Sequence, residues 1–105
     1  MTDAILVLTT LPTADGAAEV AKTVVDEKLA ACANILPALR SIYRWEGKVQ
    51  DENEVLVLLK TRQAQYERLE ARILELHPYD VPEILAIPIE EGHRTYLDWV
   101  ASETA

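Results

Sequence analysis

Residues 41–59, SIYRWEGKVQDENEVLVLL, decide the fold: an extended segment, a polar connection and an apolar run follow one another. The extended segment reaches back from Trp45 to Cys32, and Pro37 within it favours a bulge or a sheet edge. The polar connection follows Trp45 and ends before the apolar run 55–59. Because a link this short joins neighbouring strands, the stretch predicts an antiparallel hairpin whose second strand is buried on both faces.

Helical and strand-like segments flank this hairpin on both sides. Segment 4–10 predicts a first strand, and Thr13 or Asp15 can cap a helix whose apolar residues recur at Ala18, Ala21, Val25 and Leu29. A second helix buries Tyr66, Leu69, Ile73 and Leu76 and stops at His77, because Pro78 disfavours a helical residue before it. Segments 84–87 and 92–101 predict a last strand and a short helix.

The order strand, helix, strand, strand, helix, strand, helix predicts an α+β protein. It corresponds to a ferredoxin-like βαββαβ sandwich with an antiparallel sheet, plus a short C-terminal helix. The 105 residues are close to the commonest size of one domain, and residues 1–105 contain no linker or internal repeat. We therefore expect a single domain.

The apolar pattern of the strands predicts self-association. An antiparallel sheet with one solvated face would alternate apolar and polar residues, but 4–10, 55–59 and 84–87 do not alternate. The two long helices cover one face of the sheet, and a single short helix is too small for the other. We expect copies of the chain to pack sheet to sheet with closed symmetry.

Composition excludes several classes of function. Ten basic and eighteen acidic residues give a net charge of −8, which repels phosphate backbones and argues against a nucleic-acid partner. Apolar runs of about five residues are far below the ~20 needed to cross a bilayer, so no membrane span is expected. The lone Cys32 cannot form an internal disulfide, and the acidic N-terminal segment has no basic start, which favours the cytoplasm.

Motifs for catalysis are missing from the sequence. There is no G-x-S-x-G, H-E-x-x-H or C-x-x-C, and three glycines do not make a phosphate-binding loop. An acylphosphatase-like hydrolase on the same chain plan needs an arginine between the first strand and the first helix, and segment 11–16 has none. We expect a protein that is not an enzyme and has no catalytic residues.

Two residue types could bind a soft metal. His77 and His93 are the only histidines, and Cys32 is the only thiol. His77 is either a metal ligand or a residue that ends the helix and packs against Tyr79. Cys32 begins an apolar strand, where thiols are more often packing groups than ligands.

A second group of residues could form a ligand pocket or a subunit interface. Tyr43 and Trp45 share one face of their strand, and Lys60, at the end of an apolar strand, needs a carboxylate such as Glu83. In segment 77–83, HPYDVPE, two prolines fix a turn that carries Tyr79 and Glu83. Aromatic side chains line ligand pockets and also concentrate at subunit contacts, so both interpretations stay open.

Five short sequence motifs resemble those of the CutA family of divalent-cation tolerance proteins: 29–35 LAACANI, 41–47 SIYRWEG, 59–61 LKT, 77–83 HPYDVPE and 96–99 YLDW. They span nearly the whole chain, in order and with similar spacing. The resemblance implies a ferredoxin-like trimer similar in architecture to PII signalling proteins, a role in tolerance of copper and other divalent cations, and no catalysis.

The ligands proposed for copper-binding members of that family are a cysteine near the end of strand one and two histidines before Pro-Tyr. Here those positions are Thr9 and Leu76-His77. His77 is therefore the first candidate ligand, Cys32 the second, and copper or another divalent cation is expected to bind weakly. The alternative is a PII-like signalling or scaffold trimer that binds a small ligand or a protein at subunit clefts near Tyr43, Trp45, Lys60 and Trp99.

Overall fold

The computed structural model describes residues 2–105, which form one four-stranded sheet and three α-helices. The elements are β1 (Ala4–Leu11), α1 (Ala14–Asp26), β2 (Cys32–Trp45), β3 (Lys48–Arg62), α2 (Tyr66–Leu76), β4 (Ile84–Pro88) and α3 (Arg94–Glu103), with a 3₁₀ turn at Gln63–Gln65. The strand order is β2-β3-β1-β4, and every neighbouring pair is antiparallel. This confirms the α+β, ferredoxin-like prediction.

The hairpin of β2 and β3 is longer than its sequence pattern indicates. Its turn is only Glu46-Gly47, where φ is 50° and 78°, as a two-residue type I′ turn requires. The prediction of a polar connection up to residue 54 was wrong, because β3 already begins at Lys48. Residues at the tip of the hairpin are exposed, so a polar run there is compatible with strand pairing.

Cross-strand side-chain pairs reinforce the outer part of this hairpin. Arg40 donates from Nε and from its second amino group to the two carboxylate oxygens of Asp51, at 2.7 and 2.6 Å. The Tyr43 hydroxyl donates to Glu52. The register of the two strands shifts between Leu36 and Leu39, which confirms the irregularity predicted at Pro37.

The core lies between one face of the sheet and helices α1 and α2. It contains Ile5, Val7, Leu11, Ala17, Val20, Val24, Ala30, Val55, Val57, Leu59, Leu69 and Ile73. The predicted stripe of α2 is confirmed, and Thr13 caps α1 by accepting from the Gly16 amide at 3.0 Å. The stripe predicted for α1 was wrong in part: Ala21 is buried and Leu29 packs against the core, but Ala17, Val20 and Val24 are buried in place of Ala18 and Val25.

The second face of the sheet remains partly uncovered by the described residues. Leu6, Leu8, Leu56 and Leu58 are only half-buried, and in the edge strand β4 Leu85 and Ile87 are 56% and 50% exposed. Helix α3 is attached at one end of the sheet, where Arg62 and Gln65 donate to the carbonyl oxygen of Thr104, each at 2.6 Å. Apolar surface therefore remains on this face, as the strand pattern predicted.

Candidate functional site

The segment that follows α2 is held against the end of β1 by His77. The ring is buried, with 8% of the residue exposed. Its Nδ1 accepts from the Tyr79 amide at 3.1 Å, so its Nε2 carries the proton and donates to the carbonyl oxygen of Thr10 at 2.7 Å. The rings of His77 and Tyr79 lie 4.8 Å apart between centroids. His77 thus ends the helix and fixes the loop that carries Tyr79.

This loop, the end of β1 and the outer part of the hairpin border an open cavity of about 630 Å³, called here the acidic cavity. It is bounded by Thr10, Ser41, Ile42, Tyr43, Trp45, Glu54, Pro78, Tyr79, Asp80, Val81 and Glu83. Four residues of the predicted pocket or interface group therefore lie together: Tyr43, Trp45, Tyr79 and Glu83. Lys60 and Trp99 are not in its lining.

Glu54 is the most buried acid of the acidic cavity, with 8% of the residue exposed. Its Oε2 accepts from the Tyr79 hydroxyl at 2.8 Å. Burial of the phenol, its bond to Glu54 and the negative charges of Glu54 and Glu52 raise the pKa of Tyr79 well above its usual range. Tyr79 therefore stays protonated and acts as a donor to Glu54.

The sequence did not identify Glu54 as a site residue. The sequence pattern predicts that Glu54 lies in the polar connection of the hairpin, although its position directly before the apolar run at 55–59 indicates that the strand has already begun. Its partner Tyr79 lies 25 residues away in the chain, so no local pattern connects the two.

Lys60 has different neighbours from those predicted. Its Nζ donates to the side-chain oxygen of Asn34 and lies 3.9 Å from the Cys32 sulfur. The proposed pairing of Lys60 with Glu83 was wrong. Lys60 is opposite Leu6 on β1, whereas Glu83 precedes the residue that pairs with Thr9 on the far side of β1.

Cys32 lies near the aromatic side chain of Tyr96 on α3. Burial raises the pKa of Tyr96, and the neighbouring Cys32 adds to that increase. Trp99 packs against Tyr96 with ring centroids 5.6 Å apart. The predicted pocket or interface residues therefore divide into two groups, one at the acidic cavity and one around Cys32.

His77 and Cys32 are far apart within one chain. Cys32 pairs with Lys60, which pairs with Leu6, whereas His77 contacts Thr10. Thr10 is four residue steps from Leu6 along β1, a distance of about 13 Å. Among residues 2–105, no group of three or more His, Cys, Asp or Glu side chains is arranged to hold a metal ion.

The fold and the site define a ferredoxin-like α+β protein with an acidic, aromatic cavity at one end of its sheet. Residues 5–103 match the family described as CutA1 divalent ion tolerance protein, and the chain belongs to that family. This confirms the resemblance found in the five sequence motifs.

Relatives match over nearly the whole chain. The divalent-cation tolerance protein CutA of Thermus thermophilus is 50% identical over 99 residues, which are 94% of this chain and 96% of that protein. A solved structure from the same organism superposes with a TM-score of 0.95, covering 97% of this chain and 99% of the other at 49% identity.

Two other relatives carry names that refer to different compartments. The chloroplastic protein CutA of Arabidopsis thaliana is 45% identical over 100 residues, and the match covers 95% of this chain but 55% of that protein. The structure of the periplasmic divalent cation tolerance protein CutA from Archaeoglobus fulgidus has a TM-score of 0.94 at 34% identity, over 97% of this chain and 99% of the other. Within residues 2–105, no helix is long and apolar enough to span a membrane.

Proposed function

We propose that this chain is a divalent-cation tolerance protein that acts without catalysis, in the cytoplasm, with copper as its cation. The observation that carries this proposal is membership of the CutA1 family over residues 5–103. The net charge of −8 is consistent with it, because the summed field attracts cations.

Binding of copper is expected to be weak, with His77 as the first candidate ligand and Cys32 as the second. Both ring nitrogens of His77 are already hydrogen-bonded, so a metal ion has to replace one of these bonds. The separation of His77 from Cys32 means that further ligands come from other groups or from other copies of the chain.

The assembly proposed for the function is a homotrimer with PII-like architecture. Its support is the uncovered second face of the sheet, where Leu85 and Ile87 leave apolar surface along an edge strand. Closed symmetry would bury that surface without open-ended association. Light scattering should give about three times the 11.8 kDa of the chain, and a mass of one chain would refute the trimer.

A copper titration of metal-free protein by calorimetry, in a buffer that does not chelate copper, tests the metal proposal. His77→Gln is the informative variant, because a glutamine amide can still donate to Thr10 but is a poor copper ligand. His93→Ala is its matched control, since it removes the other histidine, which is exposed. Cys32→Ser tests the second candidate ligand.

The proposal predicts saturable binding that His77→Gln weakens and His93→Ala leaves unchanged. Binding that is equal in all variants would mean that copper meets only surface carboxylates. That result would overturn His77 and Cys32 as ligands.

The acidic cavity favours a second candidate function, a signalling or scaffold trimer that binds a small ligand. The cavity has the volume of a small-molecule site and combines apolar and aromatic walls with a few polar groups. Variants of Trp45 that abolish ligand binding without changing copper binding would separate this function from the first.

A further inference from the structure

The acidic cavity has a lining of unusual chemical character. Its ionisable carboxylates are Glu54, Asp80 and Glu83, and no Lys, Arg or His is among its lining residues. Its aromatic residues are Tyr43, Trp45 and Tyr79. A cavity with this lining has a negative potential and aromatic surface in the same place, two features that both favour a cation.

Glu54 supplies the second observation, because its buried charge has no protein counter-ion. Of the residues in 2–105, none with a basic side chain forms a salt bridge with Glu54. One carboxylate oxygen accepts from Tyr79, and the other makes no hydrogen bond within the described part of the chain. The buried side-chain oxygens without a partner in residues 2–105 belong to Thr9 and Gln65, so this second oxygen of Glu54 is open to the cavity and available to a cation.

The geometry argues against a bare metal ion as the occupant. A divalent ion needs several oxygen or nitrogen ligands within about 2.0–2.6 Å, and the carboxylates of residues 2–105 do not converge in that way. An organic cation does not need convergent ligands. It has a diffuse charge and an apolar body that can contact aromatic rings while carboxylates lie at a longer distance.

We propose that the acidic cavity binds a small organic ammonium cation. Glu54 and Glu83 provide the negative charge, and Trp45, with Tyr43 and Tyr79, provides the aromatic surface. The proposal rests on the second candidate function, because it names the class of that small ligand. Its carboxylates and aromatic rings are not the candidate copper ligands, although His77 positions the loop that carries Tyr79.

Calorimetric titrations with three probes test the proposal on the assembled protein. Tetramethylammonium carries a charge without hydrogen-bond donors, and tert-butylammonium carries both. tert-Butanol has the shape of tert-butylammonium but no charge. At least one ammonium probe should bind about tenfold more tightly than tert-butanol, because Coulomb attraction is stronger in a partly desolvated site than in water.

Variants then locate the site. Glu54→Gln keeps an oxygen that can accept from Tyr79 and removes only the charge. Glu83→Gln removes a charge of the lining at an exposed position. Each should weaken ammonium binding about tenfold. Trp45→Ala should weaken it about 3- to 30-fold by removing a cation–π partner. Glu90→Gln is the matched control, an exposed acid outside the lining, and should have no effect.

Each outcome decides the proposal. If tert-butanol binds as tightly as the ammonium probes and Trp45→Ala abolishes that binding, the small-ligand function stands but the inference of a cation is refuted. If no probe binds up to about 20 mM, both are refuted for this cavity. Ammonium binding that persists in Glu54→Gln, Glu83→Gln and Trp45→Ala would place the cation elsewhere and overturn the proposal.

Discussion

The ring of His77 is the group on which the position of the acidic-cavity loop depends, and His77→Ala tests this directly. The substitution removes the donor to the carbonyl oxygen of Thr10, the acceptor of the Tyr79 amide and the ring contact with Tyr79. The loop should then lose its attachment to β1, and Tyr79 should bond less firmly to Glu54.

The expected loss of stability can be worked from these contacts. Thr10 is 7% exposed, so its carbonyl loses a partner in a place with little access to water, which costs about 1–3 kcal/mol. The ring contact adds about 0.5–1.5 kcal/mol. The Tyr79 amide adds little, because Tyr79 is only half-buried and water can replace the lost acceptor. The free energy of unfolding should fall by about 2–4 kcal/mol.

Urea unfolding at one fixed protein concentration measures this change, because the stability of an oligomer depends on concentration. His93→Ala is the control and should stay within about 0.5 kcal/mol of the parent, since His93 is exposed. His77→Gln should recover part of the loss by donating to Thr10. If His77→Ala were as stable as His93→Ala, the reasoning that the ring anchors this loop would be refuted.

Three further predictions concern titration, the hairpin turn and the core. The pKa of Tyr79 in the folded protein is raised above its unfolded value near 10. The protonated Tyr79 side chain therefore contributes its full share of stability below about pH 10, and this share is lost as the pH rises above 10. Between about pH 8 and pH 11, the free energy of unfolding should fall less in Tyr79→Phe than in the parent. An equal fall in both proteins would contradict the raised pKa of Tyr79. Gly47→Ala should lower the free energy of unfolding by about 1–2 kcal/mol, because φ is 78° and the position is otherwise open. Lys48→Ala is the control at the neighbouring position. Equal stability of the two variants in thermal or urea unfolding would mean that the turn tolerates alanine. Leu69→Ala should cost about 2–5 kcal/mol, whereas Leu74→Ala on the same helix, which is 49% exposed, should cost far less; similar unfolding midpoints would refute the assigned core face of α2.

The local pattern of apolar residues was sufficient to predict most of the helices and strands of the fold. The stripe of α2 and its end before Pro78 follow from helical spacing and from the steric restriction that proline places on the residue before it. The lack of alternation in β1 and β3 predicted a second apolar face, and the half-buried leucines and exposed Leu85 and Ile87 are found there. These features depend on residues close together in the chain, so the sequence carries them directly.

Patterns were less reliable where they described small side chains or polar strands. The alanine-rich α1 has apolar residues on more than one side, so spacing alone did not distinguish the face that packs on the sheet. The polar composition of residues 48–54 predicts a connection, but these residues belong to β3 because pairing with β2 satisfies their backbone groups.

The sequence by itself determined the order of elements, the hairpin and the family, because each depends on neighbouring residues or on short motifs that follow one another in a set order along the chain. Only the tertiary structure decided how the candidate residues group. In the structure, Glu54 accepts a hydrogen bond from the Tyr79 hydroxyl. The neighbours of Lys60 are Asn34 and Cys32 instead of Glu83, and Cys32 lies far from His77. The physical reason is that strand register and loop anchoring are set by contacts between residues distant in the chain.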